Sequence, residues 1–123
     1  MKKITVLAFI ILSIISGCTF NNEDDYFKGY VCDTVNMNYS QVNSIFQENC
    51  VSCHNKDFNN RGIILDSYEG IVAAEDSDRL YKAVNHLPGN GIRIIFMPYQ
   101  LNKLPSCPLS KINAWIKRGM PQN

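Results

Sequence analysis

Cys50, Cys53 and His54 place two thiols and an imidazole within the five-residue stretch Cys-Val-Ser-Cys-His. At this C-x-x-C-H spacing, each thiol can add across a vinyl group of a porphyrin, and the imidazole then lies next to the iron as its proximal ligand. The sequence therefore predicts one covalently attached haem c, with Cys50 and Cys53 as its thioethers and His54 on the iron.

Two other kinds of site also use a C-x-x-C pair. A structural zinc ion needs four nitrogen or sulfur ligands, but the chain has no second C-x-x-C pair, and its other histidine, His86, is isolated. A redox-active dithiol usually opens a helix that follows a buried strand, whereas residues 40–49 have the pattern of a helix. Haem attachment is favoured, and the zinc and dithiol sites are the alternatives.

Residues 1–17 have the features of a secretory signal peptide. Lys2 and Lys3 precede an apolar run over residues 4–15, which is too short for a membrane-spanning helix. The residues just before Cys18 resemble the lipobox of bacterial lipoproteins, in which the cysteine is acylated. We therefore expect Cys18 to be a lipid anchor; the alternative is an ordinary secretory signal that leaves Cys18 as a free thiol.

The predicted export determines how the remaining cysteines are interpreted, because thiols in an oxidising compartment tend to pair. Of five cysteines, one is assigned to lipid and two to haem, which leaves Cys32 and Cys107. We predict a disulfide between them, which would close a long loop and stabilise a small domain. Two buried free thiols are the alternative, since a sequence shows no distance.

Residues 18–30 show neither a helical nor a strand period, and they are predicted to be a lipid anchor and flexible tether. Thr19 differs from the aspartate that commonly retains lipoproteins at the inner membrane. We therefore expect lipid anchorage in a bacterial cell envelope, at the outer membrane facing the periplasm. The acidic residues 21–25 resemble signals for display on the cell surface, although a solvated run of charges is the commoner explanation.

The charge balance argues against nucleic acid as a partner. After removal of residues 1–17, the chain has ten Lys and Arg and eleven Asp and Glu, so the mature chain is nearly neutral. It contains no basic block that could follow a phosphate backbone. Residues 31–123 are long enough for one domain with a modest core.

Short helices joined by long loops are predicted for this domain. The polar residues expected to cap the helices are Ser40, Asp66, Ser77 and Ser106. The residues spaced to form buried stripes are Val42, Ile45 and Phe46 in the first helix, Leu80, Tyr81 and Val84 in the third, and Leu109, Ile112, Trp115 and Ile116 in the last. The second helix should run through Ala74, and Gly119 should end the last. The pattern predicts an all-α domain whose first helix leads directly into the haem motif.

The residue opposite His54 on a haem iron would decide the chemistry of the site. Met97 is the favoured distal ligand, because it lies in a long loop between two helices and Pro98 stiffens the backbone that presents its sulfur. His86 is the alternative ligand, and an open iron site is the third possibility. Met37 and Met120 lie near the ends of the domain, where surface or core filling is expected.

In this order, the elements resemble those of bacterial class I c-type cytochromes, specifically small lipoprotein cytochrome c domains, over residues 31–119. The elements that carry the resemblance are Cys32-Asp33-Thr34, the C-x-x-C-H motif, residues 62–69, Asn85-His86, Met97-Pro98, and Cys107 with Trp115-Ile116. The resemblance implies a small cytochrome c-like fold, with one haem held between the first and last helices, and one-electron transfer.

Two departures from the class I pattern affect what the resemblance implies. Ile63 occupies the position where many members have a proline whose carbonyl accepts the proximal histidine N–H, and we expect a backbone carbonyl near Ile63 to orient His54 in the same way. Residues 92–96, before Met97, are apolar and strand-like. They are expected to form a wall of the haem crevice, or else ordinary core or a short strand.

The predicted function is that of a membrane-anchored monohaem c-type cytochrome, which carries single electrons between redox protein partners. It is not expected to be an enzyme, because the sequence offers no Ser/His/Asp set and no glycine-rich phosphate loop. One alternative is a haem-based gas sensor or small peroxidase-like enzyme with an open iron site. Another is a fixed accessory subunit of a respiratory complex.

Overall fold

Four α-helices and two short 3-10 turns make up the regular structure of the computed structural model, which describes residues 31–89, 91 and 93–123. The helices are α1 (Tyr39–Asn49), α2 (Tyr68–Ala74), α3 (Arg79–Val84) and α4 (Ser106–Lys117), and the 3-10 turns are Asn60–Gly62 and Asp76–Asp78. Over the described ranges there is no β-strand, and an isolated bridge joins His54 to Asn59. The predicted all-α class is confirmed, whereas the signal peptide, Cys18 and the tether lie outside the described residues.

Helix α1 begins one residue earlier than predicted, and Asn38 rather than Ser40 is its N-cap. The Asn38 side chain accepts a hydrogen bond from the Gln41 backbone N–H at 3.3 Å, and the Gln41 side chain accepts one from the Asn38 N–H at 2.9 Å. This reciprocal capping box satisfies two N–H groups that the helix leaves free. Ser40 already lies inside the helix, so its predicted capping role is wrong.

The cap of α2 is also shifted, from Asp66 to Ser67. Ser67 Oγ accepts a hydrogen bond from the Gly70 backbone N–H at 3.1 Å. Asp66 instead bonds across the preceding loop, where its Oδ2 accepts from the Lys56 backbone N–H at 2.9 Å. Helix α2 ends at Ala74, as predicted.

Helices α3 and α4 do not use the predicted serine caps. Ser77 lies within the 3-10 turn Asp76–Asp78, and the first turn of α3 is held instead by Glu75, whose Oε2 accepts from the Tyr81 N–H at 2.7 Å. Ser106 is the first residue of α4 rather than its cap, and Pro105 precedes it without a side-chain hydrogen bond. Competition between neighbouring oxygen-bearing side chains explains the shifted caps of α1 and α2.

The end of α4 is a Schellman motif. Gly119 has a φ of +82°, its N–H donates to the Ile116 carbonyl at 2.8 Å, and the Met120 N–H donates to the Trp115 carbonyl at 3.0 Å. These two bonds satisfy carbonyls that a helix end leaves free, and the positive φ favours glycine. The predicted stop at Gly119 is confirmed.

The core lies where α1 and α3 pack against α4. Its largest side chains with less than 2% exposure are Trp115, Phe46, Met37, Ile71, Ile112 and Val42. Burial of each such side chain contributes roughly 1.5–3 kcal/mol to folding. The stripes of α1 and α4 were therefore predicted correctly in the main, but Tyr81 of α3 is exposed. Met37 is buried in the core and Met120 packs against it, which confirms the expected filling role.

Cys32 and Cys107 form a disulfide, with their Cα atoms 5.5 Å apart and a sequence separation of 75. The bridge joins the N-terminal end of the described chain to the first turn of α4. This geometry agrees with the predicted pairing, because it brings the two sulfur atoms to bonding distance.

The segment after α4 closes the aromatic part of the core. The Pro121 carbonyl accepts hydrogen bonds from the Tyr39 backbone N–H at 3.0 Å and from Trp115 Nε1 at 2.9 Å. The Met120 carbonyl accepts one from the Tyr68 hydroxyl at 2.9 Å. The Tyr68 ring also makes edge-to-face contacts with the rings of Tyr39 and Trp115. Residues 120 and 121 thus connect α1, α2 and α4.

None of the described helices is both long enough and apolar enough to cross a membrane.

Candidate functional site

The C-x-x-C-H residues form a tight turn directly after α1. Cys50 is the C-cap of α1, and its N–H donates to the Phe46 carbonyl at 2.9 Å. The Cys50 carbonyl then accepts from the N–H groups of both Cys53, at 3.1 Å, and His54, at 3.0 Å. Both thiols and the imidazole are therefore carried by one short turn that is fixed to the end of a core helix.

Both motif cysteines are free, whereas the other two cysteines of the described ranges are joined to each other. Cys50 is half-buried and Cys53 is exposed. The pairing of Cys32 with Cys107 leaves these two thiols available for another reaction. The division of the cysteines is the one that the sequence predicts for haem attachment.

His54 is buried, with 8% of its surface exposed, and its orientation is fixed by backbone groups. Its Nδ1 lies 3.3 Å from the Ile63 carbonyl oxygen, and its own carbonyl accepts from the Leu65 N–H at 2.7 Å. A carbonyl oxygen can only accept, so this contact places the proton on Nδ1 and leaves the lone pair on Nε2 for a metal. The expected contact between His54 and the carbonyl of Ile63 is confirmed.

The environment of Cys50 does not suit a redox-active dithiol. Burial raises the pKa of the Cys50 thiol to about 11. A reactive dithiol needs a thiolate, which is commonly stabilised at the N-terminus of a helix, whereas Cys50 lies at the C-terminal end of α1, where the helix dipole disfavours an anion. The first thiol of the motif is therefore held in its protonated form.

The two candidate distal ligands, Met97 and His86, lie next to each other. The Met97 N–H donates to the Ala83 carbonyl of α3 at 3.0 Å, and the Met97 carbonyl accepts from His86 Nε2 at 3.1 Å. The imidazole of His86 also stacks on the ring of Phe96, with centroids 5.0 Å apart. Within the described part of the chain, no hydrogen bond links either residue to His54.

The contact with Met97 makes His86 the weaker candidate ligand. Because the Met97 carbonyl can only accept, His86 Nε2 carries the proton and is used by this bond. The thioether of Met97 is not involved, since the bond uses its backbone oxygen. This geometry favours a structural role for His86, in which it holds the backbone of Met97.

The apolar residues before Met97 do not form a strand. Residues 93–96 have no regular structure, and Ile92 lies outside the described residues. Ile94 and Ile95 are half-buried, while Phe96 is 45% exposed and packs on His86. The short strand that the pattern allowed is therefore not formed by residues 93–96.

The described ranges contain no group of three His, Cys, Asp or Glu side chains that is close enough to hold a metal ion. The zinc alternative therefore has no ligand set within them. A haem iron needs no such group, because the porphyrin supplies four of its ligands and the protein adds one or two.

The residues that shape the loop after His54 were not predicted from the sequence. Asn55 Oδ1 accepts from the N–H groups of Asp57, at 2.9 Å, and Phe58, at 2.7 Å, which forms an Asx turn. Asp66 holds the Lys56 N–H from the far side of the loop. The Asn-Lys-Asp stretch after the motif was the available turn signal, whereas the contact between Lys56 and Asp66 depends on the fold.

The chain matches no known protein-family model, and no characterised protein or solved structure is significantly similar to it. Its function must therefore be inferred from the residues of the site.

Proposed function

We propose that this chain is a monohaem c-type cytochrome that transfers single electrons. The observation that carries the proposal is the combination of two free cysteines with a buried histidine on one turn, where the Ile63 carbonyl holds the histidine proton at Nδ1. A structural histidine could make the same bond, but it would not require two unpaired thiols beside it. The dithiol alternative is disfavoured by the raised pKa of Cys50.

The residues of the turn suit the three attachments that a haem c requires. Cys50 and Cys53 would form the thioethers, and His54 Nε2 would bind the iron. A bound haem would supply a one-electron iron couple. The protein's part is to orient the His54 ring through the carbonyl of Ile63, while the N–H of Leu65 holds the backbone carbonyl of His54.

Met97 is the proposed distal ligand. Two hydrogen bonds hold its backbone, one to Ala83 and one from His86, and both leave the sulfur free. A methionine thioether favours ferrous iron and raises the reduction potential relative to a second histidine. The proposed carrier would therefore be at the high-potential end of the c-type range.

The proposal includes lipid anchorage through Cys18 in a bacterial envelope, at the outer membrane. A tether of the length of residues 18–30 would keep the domain near the membrane and raise its effective concentration toward partners held there. Its partners would be redox proteins that make small, transient contacts.

The test is the pyridine haemochrome spectrum of residues 19–123, which are exported behind a cleavable secretory signal in a host that matures c-type cytochromes. The expected result is a c-type spectrum, with one haem per chain that stays attached after denaturation. The matched pair of controls is Cys50→Ser/Cys53→Ser, which should lose covalent haem, and Cys32→Ser/Cys107→Ser, which should keep it. Folded, exported protein without covalent haem would contradict the proposal.

A further inference from the structure

One peptide group, between Ile64 and Leu65, is held between the proximal histidine and helix α2. Its N–H donates to the His54 carbonyl at 2.7 Å. The C=O and N–H of a trans peptide point in opposite directions, so the Ile64 oxygen points away from His54. It points at Gly70 of α2, where a Cβ built on the glycine would lie 2.5 Å from that oxygen. We call this group the clamped peptide.

The clamped peptide has almost no space to move on either side. On the His54 side, 2.7 Å is at the short end of N–H···O distances. On the α2 side, a Cβ at 2.5 Å is far below the 3.4 Å at which ordinary contacts begin, so only glycine fits. Gly70 lies within a regular helix and does not have a positive φ, so its role here is to leave space and not to allow a special backbone conformation.

Helix α2 is itself held firmly. Ile71, next to Gly70, is fully buried, and the Tyr68 hydroxyl donates to the Met120 carbonyl at 2.9 Å. The Tyr68 ring packs edge-to-face on Trp115, with centroids 6.4 Å apart. A side chain at position 70 would therefore displace the irregular residues 63–66 before it displaced α2.

We propose that Gly70 is a positioning residue for His54, and that it sets the reduction potential of the iron site through the clamped peptide. The preceding peptide carries the Ile63 carbonyl, which holds His54 Nδ1. A hydrogen bond from Nδ1–H to a carbonyl makes the other ring nitrogen a stronger donor and so favours ferric iron. The inference rests on the proposed function, in which His54 binds the haem iron.

An alanine at position 70 would break this arrangement at its weakest bond. The clamped peptide cannot move straight toward His54, because the Leu65 nitrogen is already only 2.7 Å from the His54 carbonyl oxygen. It must therefore tilt or slide. The contact from His54 Nδ1 to the Ile63 oxygen is 3.3 Å, just beyond the usual range for N–H···O bonds, and a further shift of a few tenths of an ångström removes it. His54 would then be a weaker donor to the iron.

The experiment compares Gly70→Ala with the wild type as full-length, haem-loaded protein. Spectroelectrochemical titration should give a more positive reduction potential for Gly70→Ala. NMR of the ferrous protein should show faster solvent exchange of the His54 Nδ1 proton. Ile71→Val is the matched control, because it weakens packing in the same helix without adding an atom near Ile64, and it should keep the wild-type potential and exchange rate.

Asp66→Ala tests residues 63–66 at a second point, the bond between Asp66 and the Lys56 N–H. It decides whether this segment positions His54 if Gly70→Ala does not fold. It removes the carboxylate that holds the Lys56 N–H, at 2.9 Å, without adding bulk. Loss of a negative charge raises the potential by itself, so the readout for this variant is the His54 Nδ1 proton, whose solvent exchange should be faster than in the wild type. Wild-type exchange in the folded variant would overturn the proposal.

The outcomes separate this inference from the proposed function. If the wild type carries covalent haem but Gly70→Ala has the wild-type potential and a slowly exchanging Nδ1 proton, only the role of Gly70 is refuted. A negative shift of the potential would refute it as well. If the wild type carries no covalent haem, the proposed function and the inference both fail.

Discussion

Reduction of the Cys32–Cys107 disulfide should remove much of the stability of the domain. The bridge closes a loop of 75 residues. In the chain-entropy treatment, a loop of this length restricts the unfolded chain by about 4.5 kcal/mol at 25 °C. A small domain is stable by only about 5–15 kcal/mol in total, so the reduced protein should be close to its unfolding threshold.

Denaturant unfolding, with and without a thiol reductant, measures this loss directly. The midpoint in urea should fall strongly when the disulfide is reduced, and the free energy of unfolding should drop by about 2–5 kcal/mol, as is typical for small secreted domains. Thioether bonds to haem are not cleaved by such reductants. The Cys32→Ser/Cys107→Ser variant should unfold like the reduced wild type, and reductant should not change its midpoint further.

The control variant also removes the effect of the reductant on the iron. Any change that arises from reduction of the haem would appear in the variant as well as in the wild type. A loss below about 1 kcal/mol in the wild type, well under the value from loop closure, would refute the reasoning. It would mean that the unfolded chain is already restricted by other contacts, or that the bond strains the folded state.

Three further predictions concern the distal ligand, the core and pH. Met97→Ala should lower the reduction potential and allow the ferrous protein to bind CO, while Met120→Ala should do neither. An unchanged potential in Met97→Ala would contradict the ligand assignment and favour His86 or an open site. Trp115→Ala should cost about 3–5 kcal/mol in denaturant unfolding, because the fully buried ring would leave a large cavity; a loss below about 1 kcal/mol would contradict the described core. Burial raises the pKa of Glu75, so folding favours the neutral carboxyl. The stability that the neutral carboxyl contributes is present below the ordinary carboxyl pKa, and it is lost as pH rises through the raised pKa. Glu75→Gln, which keeps an oxygen for the α3 backbone, should therefore melt higher than the wild type at pH 7 and equally at pH 4; a lower melting temperature at pH 7 would contradict this sign.

The course of the helices was predictable because it depends on short-range patterns. The stripe of Val42, Ile45 and Phe46 repeats at the helical period, and the structure buries all three. The exact caps were less predictable, because neighbouring oxygens compete for the same N–H groups. Asp66 was the predicted cap of α2, but in the folded chain its carboxylate accepts from the Lys56 N–H.

The parts of the candidate site also differ in how far they could be predicted from the sequence. The turn from Cys50 to His54 and the carbonyl of Ile63 were both expected, because they depend on a motif and on a segment that follows closely in sequence. The hydrogen bond between His86 and the Met97 carbonyl depends on the path of a loop without regular structure. The contact of Gly70 with Ile64 could not be predicted, because no residue pattern marks a glycine that is needed only for the space it leaves.

The bonds made by residues 120 and 121 have a consequence for the timing of synthesis. The first N–H of α1 and the indole of Trp115 both donate to the Pro121 carbonyl. A chain that emerges from its N-terminus cannot complete this arrangement until residue 121 has been made, long after residues 50–54 have emerged. Under the proposed function, the thiols of Cys50 and Cys53 would therefore be open to haem while more than two thirds of the domain is still emerging.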